Sequence, residues 1–278
     1  MIVTTLKRTE KKNALDQIKP VGELDNIKSL DIKDSNIGKV LKDYEEVLKE
    51  RCEIDFKVSI DDIPFAYHTY KGSFWINTVL SPKEITILTT IMHVNYEDHE
   101  NFNPNTGFFL TNLIQNSYNE GFNNFYFEMN NSNFLGTSIK GSEENPIVMS
   151  MGSNYKEQVG LCAKHSTFNI KENHGASLGS DARHSTFNIE KNHGFHVGEQ
   201  ANNCTFNIKE NHGERVAEYS KNSTIYLKEN HGKGVGEHAE NCIFKSPDKK
   251  TLNSIIANPE YNHFNLIQPD GEEIPYEK

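Results

Sequence analysis

The stretch Phe168-Asn169-Ile170-Lys171-Glu172-Asn173-His174-Gly175 sets the frame of this chain. It returns at Phe187 with Glu190 and Lys191 exchanged, at Phe206 unchanged, and at Ile225 as Ile-Tyr-Leu-Lys-Glu-Asn-His-Gly. The steps are equal: 187 − 168 = 19, 206 − 187 = 19, 225 − 206 = 19, and Phe244 lies 19 further on. A fixed period of this size marks an architecture of stacked coils, each burying its apolar face against its neighbours.

Each coil can be read column by column. Ser166, Ser185, Cys204, Ser223 and Cys242 are small, and two residues later come Phe168, Phe187, Phe206, Ile225 and Phe244. Two more give Ile170, Ile189, Ile208 and Leu227. Alternation with period two places these columns inward from one strand, with Thr167, Asn169 and Lys171 outward. The second half of the coil offers Val159, Leu178, Val197, Val216 and Val235, then Ala163, Ala182, Ala201, Ser220 and Ala239, as inward columns. Gly160, Gly179, Gly198, Ala217 and Gly236 follow the first of these, where a corner needs positive φ. Asn-His-Gly is the turn, four times over, and its asparagines are placed to ladder from coil to coil.

The fold class expected is mainly β: a single-stranded β-helix of 19-residue coils. The crossover rule for parallel strands predicts a right-handed winding. Left-handed solenoids follow a six-residue phase, which 19 does not divide into.

A hydrophobic content of 35% over 278 residues is low for a layered core and suits a solenoid. A net charge of −10 argues against nucleic-acid grooves and against anionic membrane surfaces. The cysteines stand at 52, 162, 204 and 242. Cys204 and Cys242 share a column two coils apart, about 9–10 Å at the strand spacing, too far for a disulfide. We expect reduced thiols, and a cytoplasmic location, since the first residues turn polar at once.

The ends do not repeat. Residues 1–33 read as a loose arm rich in Lys, Glu and Asp. Residues 34–123 read as an α+β capping domain. Asp34 or Ser35 caps a helix to about Arg51, and residues 53–60 and 74–80 read as strands. Ser81-Pro82 opens a second helix, 95–106 is a polar loop, and a third helix runs from Thr106 to Glu120. Residues 124–246 hold the β-helix. The segment 147–151 lies 19 residues before the first clear repeat and matches its apolar positions, so the period starts at or before Ile147, with a weaker coil near Phe125 offset by 22 through an insertion near 141–144. The period stops after Phe244. Residues 247–278 form a C-terminal cap, with a short helix at 251–257 and a hairpin-like turn at Gln268-Pro269-Asp270-Gly271.

The run Gly213-Glu214-Arg215-Val216-Ala217-Glu218, with Gly234-Val235-Gly236-Glu237 beyond His231-Gly232, resembles the glycine-punctuated repeats of the GXGXG family. That family includes the C-terminal β-helix of the glutamate synthase large subunit and a formylmethanofuran dehydrogenase subunit. The likeness covers about 147–245. It implies a right-handed β-helix that serves as scaffold and contact surface rather than catalytic centre. The catalytic and flavin-binding domains of glutamate synthase have no counterpart here.

Three constellations can carry chemistry. His174, His193, His212 and His231 form a column able to chelate a transition metal. Four equal ligands in a row do not make a tetrahedron, so we read the column as one duplicated turn residue. Glu199, Glu218 and Glu237 stack like charges, which need screening or a cation. We read them as a solvated face. Asp98, His99 and Glu100 sit on the polar loop and are placed to act as acid–base groups, though nothing fixes their geometry.

We therefore expect a non-catalytic scaffold or protein-interaction module with no cofactor. Its partner would be another protein or a second copy. The alternative is an enzyme, metal-dependent through the His column or carbohydrate-active along the wall.

Overall fold

The computed structural model describes residues 35–49, 76–127, 133–154 and 157–277. The expected arm, the strand at 53–60 and Cys52 lie outside these residues. Among the described residues three helices, α1 (Asn36–Val47), α2 (Pro82–Tyr96) and α3 (Phe102–Asn119), come first. Nine strands follow: β1 (Asn124–Phe127), β2 (Ile147–Asn154), β3 (Ser166–Asn173), β4 (Thr186–Asn192), β5 (Thr205–Asn211), β6 (Thr224–Asn230), β7 (Ile243–Ser246), β8 (His263–Ile267) and β9 (Glu273–Pro275). A short helix, α4 (Lys249–Ser254), lies between β7 and β8. The strands form one sheet in sequence order, parallel from β1 to β8 and antiparallel at β9. The chain is a parallel β-solenoid of about six turns.

The 19-residue register holds throughout the repeats: Phe168 pairs with Phe187, Phe187 with Phe206, and Phe206 with Ile225. The phenylalanine rings stack 4.9 Å and 5.0 Å apart in the first two of these pairs. The inward columns are buried as their alternation predicts.

The opposite wall is not a second strand. Its residues bend, and four positions per coil adopt left-handed φ, as at Ser177 (57°), Gly179 (67°), Asp181 (54°) and His184 (50°). Backbone hydrogen bonds hold it. The Ser177 and Asp181 N–H groups donate forward to Phe195 and Glu199, each 2.9 Å, while Gly179 and Arg183 donate back to Val159 and Ala163, each 2.9 Å. Alternate amides thus clamp the coil to both neighbours, which satisfies a wall that lacks regular strands.

Glycine serves two purposes here. At Gly179 an added Cβ would lie 2.6 Å from the Phe187 ring, so the corner glycines make room for the aromatic column as well as permitting positive φ. The glycines of Asn-His-Gly have ordinary φ. An added Cβ at Gly213 would sit 1.8 Å from the Gly194 carbonyl oxygen. That glycine is required by close backbone approach between coils, not by a left-handed conformation.

The asparagines of the same turn form the expected ladder, with Asn173, Asn192 and Asn211 buried and Asn230 half-buried. Asn173 Nδ2 donates to Asn192 Oδ1 at 2.8 Å, Asn192 to Asn211 at 2.8 Å, and Asn211 to Asn230 at 2.6 Å. Each amide also donates to the carbonyl two residues on, for example Asn192 to Gly194 at 3.2 Å. The run ends where Asn230 donates to Ser254 Oγ at 2.7 Å, on α4.

The ends differ in detail from expectation. Ser35 caps α1, and Ser81 with Glu84 makes a capping box on α2. The polar loop is shorter than its composition suggests, because α3 begins at Phe102, which is fully buried. Asn101 and Asn105 donate to the Leu48 and Val47 carbonyls at 3.0 and 2.8 Å, satisfying the end of α1. Residues 76–80 are not a strand: Asn116 donates to the Ile76 carbonyl, and Ser117 Oγ to that of Leu80 at 2.6 Å.

The first coil is offset by 149 − 125 = 24 residues rather than 22. The five extra residues lie between Lys140 and Ile147, since that interval spans 147 − 140 = 7 where the next coil, from Lys164 to Ser166, spans two. The stacking also outlasts the period. Phe244 pairs with Phe264 on β8, 264 − 244 = 20 residues on, with α4 filling the missing wall. The α2 helix covers β1 through Thr86 Oγ1, which donates to the Tyr126 carbonyl at 3.0 Å. Pro275, without an N–H, stands on the outer strand β9 and limits further pairing.

Candidate functional site

Three surfaces run along the solenoid, and each presents a different chemistry. The outer face of the sheet is polar and regular. Asn188 Nδ2 donates to Asn169 Oδ1 and Asn207 to Asn188, both at 2.8 Å, and Asn169 donates to Ser150 Oγ at 3.1 Å. Tyr226 continues this row on β6. Beside it runs Lys171, Glu190, Lys209 and Lys228, in which Lys209 meets Glu190 at 3.1 Å. The Glu–Lys exchange in the second repeat thus breaks a row of like charges that would repel across strands.

The His column lies at the corner as one stack. The ring pairs His174–His193, His193–His212 and His212–His231 are 4.8, 5.0 and 4.8 Å apart and tilted by 10–14°. Near-parallel rings in register direct their nitrogens along one common direction rather than toward one point. Desolvation, then the neighbouring His174 and His212, pull the His193 pKa below its ordinary value. Asp98, His99 and Glu100 are exposed on the short turn between α2 and α3. There the Asn101 N–H donates to His99 Nδ1 at 3.2 Å, a local turn contact.

The bent wall carries residues that repeat poorly, and sequence columns pass over them for that reason. Asp181, Gln200 and Tyr219 form one outward row; Arg183, Asn202 and Lys221 form the next. Together they line an open groove of about 370 Å³. Tyr219 is 46% exposed and stacks on His238 at 4.7 Å. Burial first, and Glu199 second, push the Asp181 carboxyl up to about 6 against the opposing pull of Arg183. The legible signal was the contrast itself: positions that vary inside an otherwise copied unit are not required by stacking.

The Glu column is not uniform. Glu199 and Glu237 are partly exposed, but Glu218 is 4% exposed, with its Oε1 3.5 Å from Arg215 Nη1 and its Oε2 2.9 Å from His196 Nδ1. The reading as a solvated face therefore fails at Glu218. His196 shares no column with the four turn histidines. Cys204 and Cys242 are buried free thiols, and burial pushes the Cys204 thiol up to about 11. Among the described residues no helix is long and apolar enough to cross a membrane. No family model, no curated protein and no solved structure matches this chain.

Proposed function

We propose that this protein is a scaffold or protein-interaction module whose outer sheet face is its contact surface. The observation that carries the reading is the hydrogen-bonded Asn169–Asn188–Asn207 row, which holds that face in one conformation before any partner arrives. A surface already ordered loses little side-chain entropy on association. Association along the side is favoured because both ends are covered, by α2 at β1 and by α4 with the β8–β9 hairpin at the other end. The likeness of 213–237 to GXGXG repeats, and the free thiols of Cys162, Cys204 and Cys242 among the described residues, which suit a reducing cytoplasm, support the same reading.

The test is light scattering after size-exclusion chromatography across a concentration series, with cross-linking to candidate partners. Association that Asn188→Arg abolishes while the melting temperature holds supports the reading. A monomer at every concentration that cross-links to nothing overturns it.

The groove favours a second reading, carbohydrate binding along the bent wall. It combines an exposed tyrosine with amide, carboxylate and cationic groups. A glycan array answers this directly: binding lost in Tyr219→Ala supports it, and no binding across the array overturns it.

A further inference from the structure

We propose that His196, Glu199 and Glu218 bind one divalent transition-metal cation of the zinc class, which staples two successive coils together. The three ligand atoms lie within 4.8 Å of one another. His196 Nδ1 is 2.9 Å from Glu218 Oε2 and 3.5 Å from Glu199 Oε2. Ligands about 2.0–2.2 Å from a tetrahedral ion are spaced roughly 3.3–3.5 Å apart, so the two histidine–carboxylate distances bracket what one ion needs, and the carboxylates lie within 4.8 Å of each other.

The second observation is a pair of unsatisfied atoms. His196 Nδ1 and Glu218 Oε2 are both buried, and neither makes a hydrogen bond despite their 2.9 Å separation. Two electron-pair donors therefore face each other without the alignment of a shared proton. The Glu218 side chain is only 6% exposed, and a carboxylate oxygen buried without a partner is costly. Arg215 addresses the other oxygen, Oε1, at 3.5 Å, and leaves Oε2 directed at the imidazole.

The arrangement occurs once in the array. Residues matching His196 are Gln158, Ser177, Arg215 and Gly234, and those matching Glu199 in earlier coils are Leu161 and Ser180. A histidine meets two glutamates of adjacent coils at this position alone among the described repeats. Local backbone supports it: His196 holds left-handed φ of 56°, its N–H donates to the Glu214 carbonyl at 3.0 Å, and its own carbonyl accepts from Ser180 Oγ at 3.3 Å. An imidazole with two carboxylates suits zinc and its transition-metal neighbours, whereas calcium and magnesium prefer oxygen alone. Three protein ligands leave a fourth position for water.

The experiment is calorimetric titration of metal-stripped full-length protein with Zn²⁺, alongside Co²⁺ absorption in the visible. One ion per chain is expected, with a rise in melting temperature and the Co²⁺ bands of a low-coordinate N/O site. His196→Ser, a residue already used at the matching position Ser177, should weaken binding at least tenfold, as should Glu218→Gln. Should Glu218→Gln fail to fold, Glu199→Gln takes its place, since that side chain is partly exposed. The double variant His193→Asn with His212→Asn should bind as the parent does. No binding by the parent overturns the proposal. So does binding that survives His196→Ser but is lost with the two turn histidines.

Discussion

Ala217 stands where the coils of Gly160, Gly179, Gly198 and Gly236 have glycine, and Ile225, eight residues on, stands where those four coils have phenylalanine. The two departures belong together. In the other coils the missing Cβ would lie 3.0 Å (Gly160), 2.6 Å (Gly179), 2.5 Å (Gly198) or 2.7 Å (Gly236) from a phenylalanine ring. Ala217 carries that Cβ, at φ 60°, and is fully buried, as is the smaller Ile225. Ile225→Phe alone should therefore overpack the coil and cost about 1–3 kcal/mol. Ala217→Gly with Ile225→Phe should recover most of that loss. Urea unfolding of the four proteins measures the coupling, and additivity would sink the explanation.

The turn glycines give a sharper contrast. Gly213→Ala places a methyl on the Gly194 carbonyl and should separate two coils, costing about 3 kcal/mol or more by the scale of severe core disruptions. Gly152 has open space at its Cβ and no positive φ. Gly152→Ala should change stability by less than about 0.5 kcal/mol or raise it slightly. Thermal unfolding of both variants decides whether close approach is the cause.

The two asparagine rows should respond differently. Asn192→Ala removes a buried amide bonded on both sides and strands its neighbours' polar atoms, so a loss of about 2–3 kcal/mol is expected. Asn188→Ala, on the solvent face, should cost less than about 1 kcal/mol. Equal losses in chemical denaturation would show that burial is not what separates them.

Acid should loosen the His corner. The His193 pKa lies below its unfolded value, through desolvation and through His174 and His212, with Lys191 adding to the depression and Glu172 opposing it. The native state then binds fewer protons than the unfolded chain near pH 6, so stability rises with pH there and is lost as pH falls below about 6.5. The double variant His193→Asn with His212→Asn should match the parent melting temperature at pH 8 and exceed it at pH 5. A parent curve flat across that range would contradict this.

Much of the fold was legible because the repeat states its constraints several times. The columns at Phe168, Ile170 and Val159 each appear in successive coils, so alternation and burial could be read without doubt about register. The bent wall was harder. Left-handed φ falls on Ser177, Asp181 and His184, residues whose chemistry does not announce it, because the inter-coil hydrogen bonds impose it. Phe264 was hidden because an extra residue and α4 shift it off the period. At the candidate metal cluster, Glu199 and Glu218 were visible as a column. His196 was not, since it is a histidine in a single coil and its meaning appears only when the next coil is laid on it.

The buried asparagine run has a consequence for how this molecule changes length over generations. Every amide hands its proton donor to the next coil in one direction, and only the last requires something different, the hydroxyl of Ser254. The interior is therefore indifferent to its own copy number. A duplication or deletion of one 19-residue segment by misaligned recombination leaves both termini with the neighbours they already recognise. Reach along the axis is thus a heritable quantity that moves in whole steps, each roughly one strand spacing of about 4.8 Å, without any redesign of the ends.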